Sequence, residues 1–391
     1  MDKPKIVGYF TAWSIYARSF NVSDIDATKL THINYAFYNL DTNGKVFSGD
    51  SWADTDKHFE GDSWNEEGNN LYGNLKQLAL LKKKYRHLKI LISIGGWSWS
   101  TNFGSVTANP VTRKNLVESL VKLVKDYYID GIDIDWEYPK TPQEGENYVK
   151  LVRELRIALD NYANEIRERI PFLITAAMPC GPDNYNKIPL EEFSKYVNYL
   201  NLMAYDFSGS WSEIVGHQSN LYDFLGIPLS VDKAVTDYLN SRVPHNKIVI
   251  GIPMYGRAFE NTEGIGAKFN GIGPGSFEPG IYDYKALPRD ENTKEIYIDK
   301  LGASFSYNPT TKELITYDSP QVIKEKIKYI KKKKLNGVMF WELSNDLSTN
   351  NTRSLLFNAF DAFDSLEHLD DSLNHLDYPL SIYDNVKNQF N

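Results

Sequence analysis

Eight short β-branched or aromatic runs, separated by longer amphipathic segments, constrain this chain more than any other feature. They fall at residues 6–9, 32–37, 89–94, 130–137, 172–178, 199–205, 247–253 and 337–343. Runs of this length read as buried parallel strands, and the segments between them as covering helices, notably 71–85, 109–127, 143–164 and 321–335. Eight such units make an α/β chain of the (β/α)8 TIM-barrel type, in which chemistry sits at the carboxyl ends of the strands. Between the seventh and eighth runs there is too much chain for one helix. Residues 257–318 are rich in Gly, Tyr and Asn and carry strand-like pieces at 304–307 and 314–317. They read as a small α+β insertion whose wall would deepen a cleft. The expected layout is a catalytic barrel over 1–256 and 319–365, the insertion over 257–318, and an acidic tail over 366–391 to which the pattern assigns no role. A polar stretch at 48–70, with Trp52, His58 and Trp64, is too long for an idle connection and reads as a functional loop.

The fourth run is unusual: Asp130-Gly-Ile-Asp133-Ile-Asp135-Trp-Glu137. On a strand, Asp133, Asp135 and Glu137 share one face, and Ile132, Ile134 and Trp136 the other. Successive carboxylates then stand roughly 6–7 Å apart along the chain. Like charges repel and are costly to dehydrate, so folding gains nothing from this ladder. Its apolar face, with Trp136, belongs in a core, and its acidic face looks into a site.

Composition narrows the partners. The 391 residues carry a net charge of −8, which leaves no basic stripe for a nucleic acid. The lysine runs at 82–84 and 331–334 lie near helix ends, where they suit the helix dipole on a solvated face. A single cysteine, Cys180, rules out an intrachain disulfide and a cysteine-based metal cluster. No stretch of 18 apolar residues offers a membrane span. The N-terminus enters an apolar strand without a signal region, so the chain as given reads as cytoplasmic, or as secreted if a leader has been removed. Glycosylation-type triplets occur at Asn21 and Asn350. Aromatic residues make up 14%, with eight Trp, which suits either core filling or stacking on sugar rings. The chain is expected to be a monomer.

Glycoside hydrolysis needs an acid for the leaving oxygen and a group that stabilises the oxocarbenium-like centre. Glu137, nearest the cleft, is the candidate acid; Asp135 and Asp133 are placed to raise its pKa, in part by sharing a proton. No second carboxylate is evident at nucleophile or base distance. One alternative is attack by a substrate's own 2-acetamido carbonyl, with Asp135 positioning the amide N–H. Three carboxylates could also hold a hard cation, but no His falls on a neighbouring run end, and no metal or cofactor is expected. His58 and His217 read as loop or surface residues.

The ladder matches the DxxDxDxE signature of family-18 glycoside hydrolases, the chitinases, and Ser93-Ile-Gly95-Gly96-Trp97 resembles their SxGG signature. Gly8-Tyr9-Phe10, Asn34-Tyr35-Ala36-Phe37, Met203-Ala-Tyr205-Asp206, Pro253-Met-Tyr255-Gly-Arg257 and Phe340-Trp341-Glu342 extend the resemblance over nearly the whole barrel. The pattern around Gly61-Asp-Ser-Trp64-Asn65 is most similar to fungal chitinases of the bacterial type. The resemblance implies Glu137 as acid then base, Asp135 as the acetamido-orienting acid, Asp133 as its proton-sharing neighbour and Tyr205 as donor to the acetamido carbonyl. It implies sugar contacts from Trp341 under the scissile sugar, from Trp97 and Trp211 on the aglycone side, and from Tyr9, Phe37, Met203, Asp206, Tyr255 and Arg257. Ser93, Gly95, Gly96 and Asp130 are the expected structural supports. The implied substrates are chitin and N-acetylglucosamine oligosaccharides. A chitin-binding lectin on the same fold is the alternative, although such relatives typically lack the acid. An endoglycosidase acting on protein-linked glycans fits poorly.

Overall fold

The apolar runs become strands whose residues are almost all buried, as parallel strands covered on both faces require. The structure is a computed structural model in which residues 3–224 and 229–391 are described; residues 1–2 and 225–228, assigned to the barrel from sequence, lie outside the described residues. The strands of the main sheet are β1 (Lys5–Thr11), β2 (His32–Leu40), β3 (Val46–Ser48), β4 (Lys89–Gly95), β5 (Gly131–Asp135), β6 (Leu173–Met178), β7 (Tyr199–Leu202) and β8 (Ile248–Pro253). Strands β9 (Tyr255–Phe259), β10 (Ile281–Asp283), β11 (Lys294–Ile298), β12 (Ala303–Asn308) and β13 (Glu313–Thr316) follow, and β14 (Gly337–Trp341) returns to the main sheet. Its hydrogen-bonded order is β1-β14-β8-β7-β6-β5-β4-β2-β3, and β1 also pairs with β2. Eight strands thus close into the expected (β/α)8 barrel, with β3 added antiparallel to β2.

Local chemistry sets the helices close to their expected bounds. The Asn109 side chain accepts the Val111 N–H at 2.8 Å and Pro110 opens the helix Pro110–Asp126, the usual pairing of cap and first-turn proline. Thr141 and Pro142 do the same for Pro142–Glu165, whose Tyr148, Leu151, Val152, Leu155 and Leu159 form one buried stripe. Between β8 and β14 lies a second sheet, antiparallel, in the order β10-β9-β13-β12-β11. Val215, Phe259, Phe305 and Leu314 form its apolar centre.

Internal packing groups the chain into two compact units. One comprises residues 9–200 and 370–391, the other residues 1–8 and 201–369. In the first unit the tail is firmly docked. The His375 N–H donates to Asp130 Oδ1 at 2.8 Å, and the Tyr378 hydroxyl donates to the Ile129 carbonyl at 2.7 Å. Asn385 pairs with both the N–H and the carbonyl of Leu71, at 2.9 Å each. The Phe390 ring meets Tyr128 edge-on at 5.3 Å.

The tail also explains a departure from expectation at the first lysine run. Lys82 is not on a solvated face but fully buried. Its ammonium donates to the Tyr128 carbonyl, the Tyr378 hydroxyl and Asp130 Oδ2, each at 2.9 Å, so all three protons have acceptors. Burial pushes Lys82 down to about 8, even though Asp130 pulls the other way. In the second unit His217 lies in a loop, as read, but is buried there, and burial pushes it down to about 4.

Candidate active site

In the unit of residues 9–200 and 370–391, β5 carries the ladder as far as Asp135, and Glu137 follows two residues beyond the strand end. Asp133 is fully buried. Its neighbours in register are Ser93 on β4 and Thr175 on β6. Ser93 donates to Asp133 Oδ2 at 2.7 Å, Thr175 to Oδ1 at 2.6 Å, and Tyr9 from β1 to Oδ2 at 2.6 Å. Three hydroxyl donors stabilise the ionised form of a carboxyl group, so they favour negative charge on Asp133.

Asp135 is in the opposite condition. It is nearly buried, and its Oδ1 has no hydrogen-bond partner among the described residues. Burial first, then the charges of Glu137 and Asp133, then a side-chain hydrogen bond with Glu137 push it well above the usual carboxylate range. The ladder therefore divides into an inner carboxyl held by three hydroxyl donors and an outer one, Asp135, pushed up by burial and by its acidic neighbours. Such separated environments are how paired carboxyls take different roles.

The backbone around these acids is fixed at close quarters. A Cβ at Gly95, where φ is +108°, would fall 2.3 Å from the Asp135 carbonyl oxygen. A Cβ at Gly96 would fall 2.6 Å from the Phe37 ring, which faces Trp13 at 6.3 Å. Trp97 then projects with 78% of its surface exposed. Ser100 Oγ accepts the Glu137 N–H at 2.9 Å and reaches the carbonyls of Gly96 and Asp135 at 2.8 and 3.2 Å. Behind the acids Trp136 is core, stacked 5.3 Å from Phe103 and tilted against Tyr148 at 5.1 Å. Asp130 supports the start of the strand, accepting the Ile90 N–H at 2.7 Å.

The other unit gathers a second set of expected residues. Tyr205, three residues past β7, has its hydroxyl 4.0 Å from Met339 Sδ, and a Cβ at Gly251 would fall 2.9 Å from its ring. Asp206 Oδ1 accepts both the Tyr255 hydroxyl and Arg257 Nε at 2.6 Å. The Arg257 guanidinium in turn lies 4.7 Å from the centroid of the exposed Trp211 indole. Burial, then Asp206, pushes Tyr255 well above its usual value, so the phenol stays a donor. Trp341 is half-buried at the last position of β14, and Met203 is half-buried just past β7.

Two residues that touch the acids were not anticipated from sequence. Thr175 could have been noticed as the lone hydroxyl in an apolar run, since period two places it on one face with Ala177. Ser100 carries no sequence signal, because its contacts are to backbone.

A family model described as glycosyl hydrolases family 18 matches residues 5–346. The chain belongs to family 18. It is 47% identical over 387 residues to Chitinase 1 of Aphanocladium album, an alignment that covers 98% of this chain and 90% of that one. The catalytic domain of psychrophilic chitinase B from Arthrobacter TAD20 superposes with a TM-score of 0.86 at 28% identity, over 95% of this chain and 98% of that one. The Ostrinia furnacalis Group IV chitinase in complex with allosamidin gives 0.82 at 26% identity, over 94% and 100%. As a family-18 member the chain is a glycoside hydrolase, and its acidic ladder is the family's signature strand. A sugar-binding protein that does no chemistry is not favoured for a family-18 chain that retains the whole ladder.

Proposed function

We propose that this protein is a chitinase that hydrolyses β-1,4 linkages between N-acetylglucosamine units with retention of configuration. The observation that carries the reading is the split ladder: Asp133 held by three hydroxyl donors, and a raised Asp135 hydrogen-bonded to Glu137. In this reading Glu137 gives its proton to the glycosidic oxygen as the bond from that oxygen to the anomeric carbon breaks. The substrate's acetamido carbonyl oxygen forms the new bond to that carbon, giving a cyclic oxazolinium ion. Asp135 accepts the acetamido N–H, which the otherwise unpartnered Oδ1 suits, and its negative charge balances the cation. Water then attacks the anomeric carbon, Glu137 takes the water's proton, and the ring opens to a β product.

The remaining assignments rest on the family pattern. Tyr205 donates to the acetamido carbonyl, Trp341 lies beneath the sugar being cleaved, and Trp97 and Trp211 stack on the aglycone side. Asp206, Tyr255 and Arg257 form a rigid polar anchor, Phe37 and Met203 complete the contacts, and Tyr9, buried, acts through its hydrogen bond to Asp133.

Glu137→Gln tests the reading. It should lower kcat on chito-oligosaccharides by at least about 10³-fold and leave their binding within a few-fold. Activity close to wild type in that variant would reject the acid assignment. NMR of the first-formed product from an N-acetylglucosamine hexamer should show the β anomer; early α product would reject substrate assistance.

A further inference from the structure

We propose that Gln218 is a positioning residue for oligosaccharide binding: it touches no sugar, and it sets the geometry of the anchor formed by Asp206, Tyr255, Arg257 and Trp211. The anchor's contact with sugar rests on the chitinase reading. The clip that holds it rests on bonds within the unit of residues 1–8 and 201–369.

Gln218 is fully buried, so it can influence a ligand only through its neighbours. Its side-chain Nε2 donates to two backbone carbonyls, that of Tyr255 at 2.8 Å and that of Thr316 at 3.2 Å. A carbonyl oxygen only accepts, so the two together fix which end of the amide faces them. The backbone of Gln218 is held as well. Its N–H donates to Thr316 Oγ1 at 3.1 Å, and its carbonyl accepts the Phe207 N–H at 3.0 Å. One residue thus joins three pieces of chain: the connection after β7, strand β9 and strand β13.

Each of those pieces bears on the anchor. Phe207 directly follows Asp206, whose φ of +59° is a left-handed value that surrounding bonds must hold in a residue other than glycine. Tyr255 is the residue whose phenol donates to Asp206. Thr316 stands opposite Arg257 in the register of β9 and β13. Trp211 lies on the connection closed by the Phe207–Gln218 bond, where a Cβ at Gly209 would fall 2.5 Å from its ring. Without the clip, Asp206 and Trp211 can drift together away from Tyr255 and Arg257. A loosened set of contacts binds less tightly, because a ligand must then order it. All of the bonds go to the anchor's own segments, so their loss falls on binding more than on bond cleavage.

The discriminating substitution is Gln218→Glu, which keeps the shape and replaces the donor by oxygen. As a carboxylate it sets negative charge against two carbonyl oxygens; once protonated it can donate one hydrogen bond again. Binding of an N-acetylglucosamine hexamer is measured by calorimetry between about pH 5 and pH 8, in a Glu137→Gln background so that turnover plays no part. The Kd relative to Gln218 should rise about fivefold at the upper pH, the effect of roughly one lost hydrogen bond, and return toward unity at the lower. Gln218→Met, which fills the space without a donor, should bind more weakly at every pH. With Glu137 restored, Gln218→Glu should raise KM for the hexamer by a like factor at the upper pH and change kcat less. A Kd ratio near one at every pH in both variants overturns the proposal. A lowered Tm with unchanged Kd also overturns it, because Gln218 would then serve only the fold. If wild type neither cleaves nor binds the hexamer, the chitinase reading fails, and a crystal structure of Gln218→Met decides the clip. The clip stands if the contact of Asp206 with Arg257 opens beyond hydrogen-bond distance, and falls if it keeps its 2.6 Å.

Discussion

The Thr175 hydroxyl donates to Asp133 Oδ1 at 2.6 Å from the adjacent strand, opposite the two donors on Oδ2. Both oxygens of Asp133 are thereby held by hydroxyl donors. Thr175→Val keeps the shape and removes one donor. Asp133 should then hold a proton to higher pH, so the acidic limb of the kcat profile should move upward. We expect kcat near neutrality to fall about tenfold with KM little changed, as removal of a charge-assisted hydrogen bond of about 1.5 kcal/mol implies. An unmoved acidic limb would show that Asp133 does not need this donor.

Asp206 joins Tyr255 and Arg257 through a single oxygen, and Arg257 carries that rigidity out to Trp211. Arg257→Lys keeps the charge but loses the planar group that stacks on the indole. KM for oligosaccharides should rise roughly fivefold or more, equivalent to about 1 kcal/mol of stacking, while kcat changes less. Steady-state kinetics on a tetramer and a hexamer would show it.

Gly95 has no room for a methyl group against the Asp135 carbonyl oxygen, and its φ of +108° is one that side chains rarely adopt. Gly95→Ala should lose roughly 1–3 kcal/mol of stability from backbone strain and should also lower kcat by displacing Asp135. Thermal unfolding and kcat should fall together; a variant with wild-type values of both would contradict the packing described.

The buried Lys82 gives a pH signature whose sign is fixed. Its folded pKa of about 8 lies below the ordinary value of 10.5, so between these values the unfolded chain binds more protons. Stability from this group is fully present above pH 10.5 and is lost as pH falls through 8. Subtracting the stability curve of Lys82→Met from that of wild type should therefore give a difference that rises from pH 8 to 10.5. Tyr378→Phe, which keeps the ring but takes an acceptor from Lys82, should cost about 1–3 kcal/mol in urea unfolding.

The barrel was legible because its strands and helices announce themselves by local period, and the ladder because Ile and Trp interleave its acids. Ser93 could be placed through its motif. Thr175 could not be placed against Asp133, since a threonine in an apolar run is ordinary and its partner is fixed only by strand register. Lys82 was misread for a related reason: Tyr378, which completes its burial, is 296 residues away. The tail was silent because it docks through backbone groups and scattered polar side chains, which leave no repeating pattern. His217 lies in a loop, as its sequence context reads, and its burial there comes only from tertiary packing.

The docked tail has a consequence for biosynthesis. Lys82, Tyr128 and Asp130 leave the ribosome well over two hundred residues before His375 and Tyr378 do. Until those late residues emerge, the nascent chain holds a half-sheltered ammonium and an aromatic hollow with nothing to fill it. The unit that bears the acids therefore reaches its final form only after residues 375–378 have emerged.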